Sequence, residues 1–490
     1  MTIPANAAGR MTTTVSGRPL ALPCRTDVQK LIAKYGLAAH LALLAVAPLF
    51  LFPFFGNAVV CTVVLWLSLL SVIWMLLAPS VLRQEHLQDA RRRMLASVVH
   101  DPLCWALAAV VAVAAIRALN TGVSLAYDAE ISAWSVSPAY FPILPGSVGE
   151  EGALPFVAVL ASSIIIMSCR HALGRSARLA FLVVATALAG AAGLVSHLAV
   201  SKGVPGVIAY VEFPVGLFSF SGFAYGVYLL ASMVALFAVL ENGWNAVLLL
   251  PVVAIGGNAA ACYSFSPAYL SVAFLGMAVI LFFYSAFCTG KVLLLSCKIR
   301  FLFVGIAAVF LGALLVAAVL PAKTLEARLA PYLGLSLFPE SFWEVRRVVS
   351  AMALKSWMSH LWAGTGVGSF SLDFRFCATA ENWTMMPRGI ALAPNGWWQL
   401  LAERGLVGCV SFVLPVGFLV VSYVCRLVGN VRDWSLPHPA CLLTPVLLML
   451  LGAAGFVDCS LMRPEVLMIC GALLSISALS FPKKRVEKHG

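Results

Sequence analysis

Two motifs in one long polar segment, residues 321–408, hold the side chains best suited to chemistry. The first is Gly364-Thr365-Gly366-Val367-Gly368-Ser369-Phe370. The second is Asn395-Gly396-Trp397-Trp398-Gln399-Leu400-Leu401-Ala402-Glu403-Arg404-Gly405-Leu406-Val407-Gly408. Arg346 and Arg347 precede the first motif, and Glu403 sits inside the second. An arginine presents a rigid fork of donors that matches phosphate oxygens, so this pair suits an anion held beside a membrane. The same spacing also suits two solvated charges on a surface helix. Glu403 follows an apolar, aromatic stretch, where desolvation lifts a carboxyl toward the range of a general base. Its other reading is a carboxylate bound to backbone donors or to an arginine of the loop. His360 and Asp373 flank the glycine run, as polar loop residues or as neighbours of the same pocket. The glycine run is neither a dinucleotide fingerprint nor a Walker loop. On its own it stops a helix and permits tight turns through Gly364, Gly366 and Gly368.

Two helices are expected to carry these residues. Residues 341–360 read as amphipathic, with Phe342, Val345, Val349, Met352, Leu354 and Trp357 on the apolar stripe and Arg346, Arg347 and Lys355 off it. Pro321, Pro331 and Pro339 punctuate the approach. A short helix over residues 394–404 starts at Pro394 and stops at Gly405. Its tryptophans favour a position on the membrane surface.

The rest of the chain describes a bilayer-embedded bundle. Of 490 residues, 62% are hydrophobic and only 11% charged, more apolar surface than a soluble domain of this size can hide. The net charge of +12 does not point to nucleic acid, because the cations sit in short clusters between apolar runs. Most of the thirteen cysteines, such as Cys61, Cys104, Cys262 and Cys470, lie inside those runs as small hydrophobes, and no zinc-type spacing occurs. The polar stretch before the first apolar run does not resemble a signal peptide.

A helical span needs roughly 17–25 apolar residues, and about twelve such runs are present. They cover residues 37–55, 58–78, 102–119, 154–169, 179–200, 216–240, 244–263, 268–287, 301–320, 406–427, 441–457 and 465–481. Every basic cluster falls on the same side of this arrangement: Arg83 and Arg91–Arg93 after the second run, Arg170, Arg175 and Arg178 after the fourth, Lys291, Lys298 and Arg300 after the eighth, and Arg426 and Arg432 after the tenth. Arg10 to Lys34 lie before the first run, and Lys483, Lys484, Arg485 and Lys488 close the chain. The positive-inside rule then puts both termini in the cytoplasm and the long polar segment outside. The expected organisation is a cytoplasmic tail (1–36), a transmembrane bundle (37–320), an external loop with short helices (321–405), C-terminal transmembrane helices (406–481) and a basic cytoplasmic tail (482–490). The fold class is all-α and polytopic. Gly256-Gly257 and the Ala/Gly-rich residues 185–193 are surfaces for close helix contact. His40 and His197 lie in or near spans and are assigned no chemistry.

The external loop resembles the O-antigen ligase/polymerase superfamily of bacterial membrane glycosyltransferases. Four parts carry the resemblance. Arg346 opens a segment like the family's arginine, helix and Gly-x-Gly-x-Gly-x-Phe turn. Asn395, Gln399, Leu400, Leu401, Ala402, Glu403, Gly405 and Gly408 match its His-Asn-x-x-Leu-Gln-Leu-Leu-Ala-Glu-x-Gly-Leu-x-Gly stretch. Gly216 to Ala224 is similar to a mid-chain span start, without its Asn residues. Val457-Asp458 through Arg463-Pro464 is similar to a C-terminal Asp…Pro element.

The resemblance implies a GT-C-like helical bundle in the bacterial inner membrane with a periplasmic loop. It implies transfer of a glycan from undecaprenyl diphosphate to a hydroxyl of the lipid A core, a growing polysaccharide or a protein, as in lipopolysaccharide biosynthesis. It implies no cofactor and no metal. The residues it marks are Glu403 and Arg346 for catalysis, and Arg347, Lys202, Gln399, Asn395, Gly366 and Gly368 for substrate binding. Two departures stand out. Pro394 occupies the place of the family's histidine base, and proline has no group to titrate. Near the mid-chain element, where the family has an arginine, stand only Glu212 and, further back, Lys202. A catalytically silent relative that binds lipid-linked glycan or scaffolds its assembly is therefore the second expectation, and a transporter the third.

Overall fold

The computed structural model describes residues 25–52, 55–82, 94–120, 124–128, 133–137, 146–147, 152–203, 220–241, 245–265, 273–274, 276–280, 340–370, 393, 395–432, 439–457 and 464–479. They form α1 (Arg25–Leu51), α2 (Asn57–Leu82), α3 (Pro102–Leu119), β1 (Ser124–Asp128), β2 (Ala133–Ser137), α4 (Ala153–Met167), α5 (Arg175–Ser201), α6 (Phe220–Glu241), α7 (Leu249–Phe265), α8 (Glu340–Ser359), α9 (Gly396–Arg432), α10 (Pro439–Val457) and α11 (Pro464–Leu479). All of the ninth expected span (301–320) and most of the eighth (268–287) lie outside the described residues.

Among the described residues, seven helices are long and apolar enough to cross a membrane, and three shorter apolar helices accompany them. Trp66, Trp105, Leu119 and Tyr263 project outward with most of their surface exposed, which suits an apolar surrounding. Helix α6 is the centre of the bundle and the most buried of these seven helices. It packs against α5, α7, α10 and α11. Tyr225 and Tyr228 of α6 are buried, and their hydroxyls meet Ser196 (3.2 Å) and the Ala45 carbonyl (3.3 Å).

The small-residue surfaces find each other. Gly190 and Gly193 of α5 face Ala254 and Gly257 of α7. A Cβ on Gly190 would lie 2.6 Å from the Ala254 Cα, so only glycine allows this backbone approach. His40 is a core histidine, bonded to the Leu67 carbonyl at 3.0 Å and stacked on Trp74. His197 is bonded to the Ser264 hydroxyl.

Two details depart from the sequence reading. Ser124–Asp128 and Ala133–Ser137 pair as antiparallel strands, with Ser124 opposite Ser137 and Asp128 opposite Ala133, in a chain expected to be all-α. The fourth span does not end in an α-helix but runs into a π-helical turn, Ser168–Ala172.

Candidate functional site

The two motifs meet. Helix α8 lies along the start of α9, and a small satellite core of Val349, Ala353, Phe370, Ala393 and Ala402 fills the space between. The buried residues of α8 are Val349, Ala353 and Ser356, while Met352, Leu354 and Trp357 of the expected stripe are half-buried. The small residues among the buried ones let α8 approach closely. Trp357 instead tilts against Trp398, with ring centroids 6.1 Å apart.

The polar residues of the second motif sit four apart and share one face of the helix. Asn395 caps it, its Oδ1 accepting from Trp397 N (3.0 Å) and Trp398 N (3.2 Å). Gln399 Oε1 accepts from Ala393 N at 2.6 Å, and its Nε2 donates to Glu403 Oε1 at 3.1 Å. The Glu403 carboxylate also accepts from the backbone N–H groups of Gly368 and Phe370. All three residues are buried. The short helix expected up to Gly405 is present from Gly396, and Trp397 Nε1 donates to the Gly452 carbonyl of α10 at 3.3 Å.

The backbones interlock as well. Thr365 N donates to Ala402 O and Gly366 N to Glu403 O, both at 2.9 Å. In return Leu406 N donates to Leu361 O (2.9 Å) and Val407 N to Trp362 O (3.1 Å). This exchange breaks α9 at Gly405 (φ 63°, ψ −168°), so the apolar rod of α9 starts at Leu406 and Glu403 lies before it. A Cβ on Gly364 would sit 2.5 Å from Arg404 N, and one on Gly405 would sit 2.5 Å from Gly364 N. Both glycines have positive φ, so conformation and space each require them. Val367 N bonds Gly146 O at 3.1 Å and ties the knot to the segment before α4.

A third participant comes from α3. Arg117 is 2% exposed and donates to the carbonyls of Glu403 (3.1 Å), Ala363 (3.0 Å) and Arg404 (2.9 Å). It thus collects the carbonyls left open where the helix breaks. Arg404 folds back along Gly408, and both arginines line a pocket of about 20 Å³ with Ala114, Pro155, Val367 and Phe412. Their Nε atoms are buried and, among the described residues, have no hydrogen-bond partner. That volume holds about one water, or a single anionic oxygen.

The chain matches no protein-family model and no curated protein. The chemistry of the knot therefore stands on its own geometry.

Burial is the dominant influence on Glu403 and raises its carboxyl to about 7. The Arg404 charge, the two N–H donors and Gln399 all act against burial without overcoming it. Glu403 thus has a near-neutral titration but no open oxygen facing solvent. Its position fits holding the turn in place.

The structure brings together Glu403, Gln399, Asn395, Gly366 and Gly368. Arg347 is exposed, like Lys355, off the buried stripe of α8. Lys202 caps the C-terminus of α5 and is exposed. Arg346 lies in α8, with its side chain outside the described residues, as are Asp373 and Pro394. His360 is exposed beside the turn. Arg117 and Arg404 were not among the candidates from sequence. The signal for Arg117 was a lone cation in an otherwise apolar run. Among the described residues, no three His, Cys, Asp or Glu side chains gather as a metal would need.

Proposed function

We propose that this protein is an O-antigen ligase-like membrane glycosyltransferase. It moves a glycan from undecaprenyl diphosphate to an acceptor hydroxyl at the outer face of the bacterial inner membrane. The hydroxyl oxygen attacks the anomeric carbon, the bond to the diphosphate breaks, and the leaving diphosphate keeps the electron pair. The hydroxyl proton passes to solvent or to a base supplied with the acceptor. Cations that stabilise the leaving diphosphate do most of the work. Arg346, Arg347 and Lys202 are the candidates for that grip, and Arg117 with Arg404 supplies positive charge inside the knot. Glu403, Gln399 and Asn395 are positioning residues that hold the glycine turn.

The observation that carries this proposal is the interlock itself. Two motifs that resemble the ligase loop are joined by reciprocal backbone bonds around a buried Glu403. A loose surface loop would have no use for that construction. A specific observation also favours the second reading, a relative that binds lipid-linked glycan without transferring it. Both hydrogen-bonding faces of Glu403 are engaged inside the protein, and Pro394 stands where the family has its base.

One assay separates the two. Purified full-length protein in lipid nanodiscs is given a glycan on undecaprenyl diphosphate plus an acceptor, and released undecaprenyl diphosphate is measured. Release that falls on Arg346→Ala supports transfer. Donor retention without release supports the binding reading, and neither retention nor release defeats both.

A further inference from the structure

Arg117 and Arg404 bring more positive charge to the broken end of α9 than the knot neutralises. Among the described residues, Glu403 is the one opposite charge within electrostatic reach of either guanidinium. Its carboxylate is taken up by Gln399 Nε2 and by the backbone N–H groups of Gly368 and Phe370. Two cations therefore share one carboxylate that is hydrogen-bonded elsewhere. Burial raises that carboxyl to about 7, so near neutral pH it carries only part of a charge.

The donors of the two arginines are not used up either. Arg117 spends Nη1 and Nη2 on three backbone carbonyls, which carry dipoles but no net charge. Its Nε, and that of Arg404, are buried and have no partner among the described residues. Buried donors without an acceptor are rare, and two on neighbouring cations point to a ligand that is not protein. Both side chains line the same pocket. Gly152 and Pro155, at the start of α4, line it too, and the N-cap there makes no side-chain hydrogen bond. The first N–H groups of a helix add to the attraction for an anion.

Size and walls say which anion. About 20 Å³ admits one water-sized occupant. Val110 and Val113 of α3, Val159 of α4 and Phe412 of α9 make the walls apolar. A phosphate has four oxygens, and these side chains offer no donor to those turned away from the arginines. A water accepting from the arginines would have two protons of its own to place, and the lining offers one side-chain acceptor, Ser411 Oγ. A halide needs donors and positive charge on one side and tolerates apolar contact on the other. We propose that Arg117 and Arg404 hold a single halide ion, chloride under cellular conditions, in the pocket between α3, α4 and α9. The ion ties α3 and the start of α4 to the knot, and this inference stands whether or not the protein transfers glycan.

The test is thermal unfolding of the full-length protein in detergent, in the sodium salts of chloride, bromide, gluconate and phosphate at matched ionic strength. Wild type should unfold about 2 °C higher in chloride than in gluconate once chloride is roughly ten times its dissociation constant, and bromide should act as chloride does. Arg404→Gln removes one charge and its Nε donor, and Ala114→Leu fills the pocket while keeping both charges. Both should lose the shift. Lys355→Gln, at an exposed position on α8, should keep it. Bromide also gives a direct reading in the wild type, because its anomalous scattering in crystals should peak beside both guanidinium groups. That reading decides the matter if the two pocket variants do not fold. Four results would overturn the proposal: equal unfolding in chloride and gluconate, an equal rise in phosphate, an unchanged chloride shift in either pocket variant, or a bromide peak only elsewhere.

Discussion

The two ends of α3 use arginine in opposite ways. At one end Arg117 is enclosed and spends its Nη donors on three backbone carbonyls. At the other, Arg170 pairs with Asp101, its carbonyl accepts from Arg178, and Arg426 lies within electrostatic reach of both arginines. The first arrangement is architecture: it closes the broken end of a helix and locks two motifs together. The second joins three elements through side-chain charge at the start of the same helix. A buried arginine is thus no marker of chemistry until its donors are accounted for.

The largest effect should come from breaking the knot itself. Gly405→Val adds a side chain at positive φ against the Trp362 carbonyl and Gly364 N, at a cost of roughly 3 kcal/mol or more. Thermal unfolding in detergent should show it, with Gly417→Ala, where nothing lies within 4 Å, close to wild type. Arg117→Met keeps volume but abandons three carbonyls, and should cost about 3 kcal/mol. Hydrogen exchange should then rise at Gly364 to Gly366 while the Asp101 end stays protected. If Arg170→Gln loosens its own end as much, the contrast between the ends fails.

Gln399→Ala leaves Ala393 N and the Glu403 carboxylate each short of a partner, and should cost about 1–3 kcal/mol. A smaller effect depends on pH. Glu403 titrates at about 7 in the fold against an ordinary value of 4.5, so the folded state holds its proton more tightly than the unfolded one. The stability it contributes is complete below about pH 4.5 and is lost as pH rises through about 7. Glu403→Gln should flatten that part of the stability profile, and an unchanged profile would assign the slope to another group. The smallest change expected is the stability of Asp101→Asn, within about 1 kcal/mol of wild type, since asparagine still caps α3.

Much of this was legible in the sequence, for physical reasons that differ by region. Apolar runs of span length forced helices, and residues 102–119 matched α3 to the residue. The sequence singled out Gly364–Phe370 and Asn395–Gly408 as motifs, but their backbone pairing was not read from it. Glycine at 364 and 405 is needed only if two backbones touch there. Arg117 was not read, because its three acceptors lie 246 to 287 residues away and no local pattern announces them. The stripe of α8 was misplaced because apolarity was weighed above size: Ala353 and Ser356 face inward, where the close approach of α9 leaves room for little else. The strand pair β1–β2 escaped notice because its strands are short and lie between spans.

Outer-face transfer requires the knot to lie outside the cytoplasm. In a background with the native cysteines replaced, Met358→Cys on α8 and Arg175→Cys at the start of α5 place labels at exposed positions on the two ends. A membrane-impermeant thiol reagent applied to spheroplasts should label the Met358 variant and spare the Arg175 variant until the membrane is opened. Labelling of the Arg175 variant alone would put the knot in the cytoplasm and contradict the proposed function.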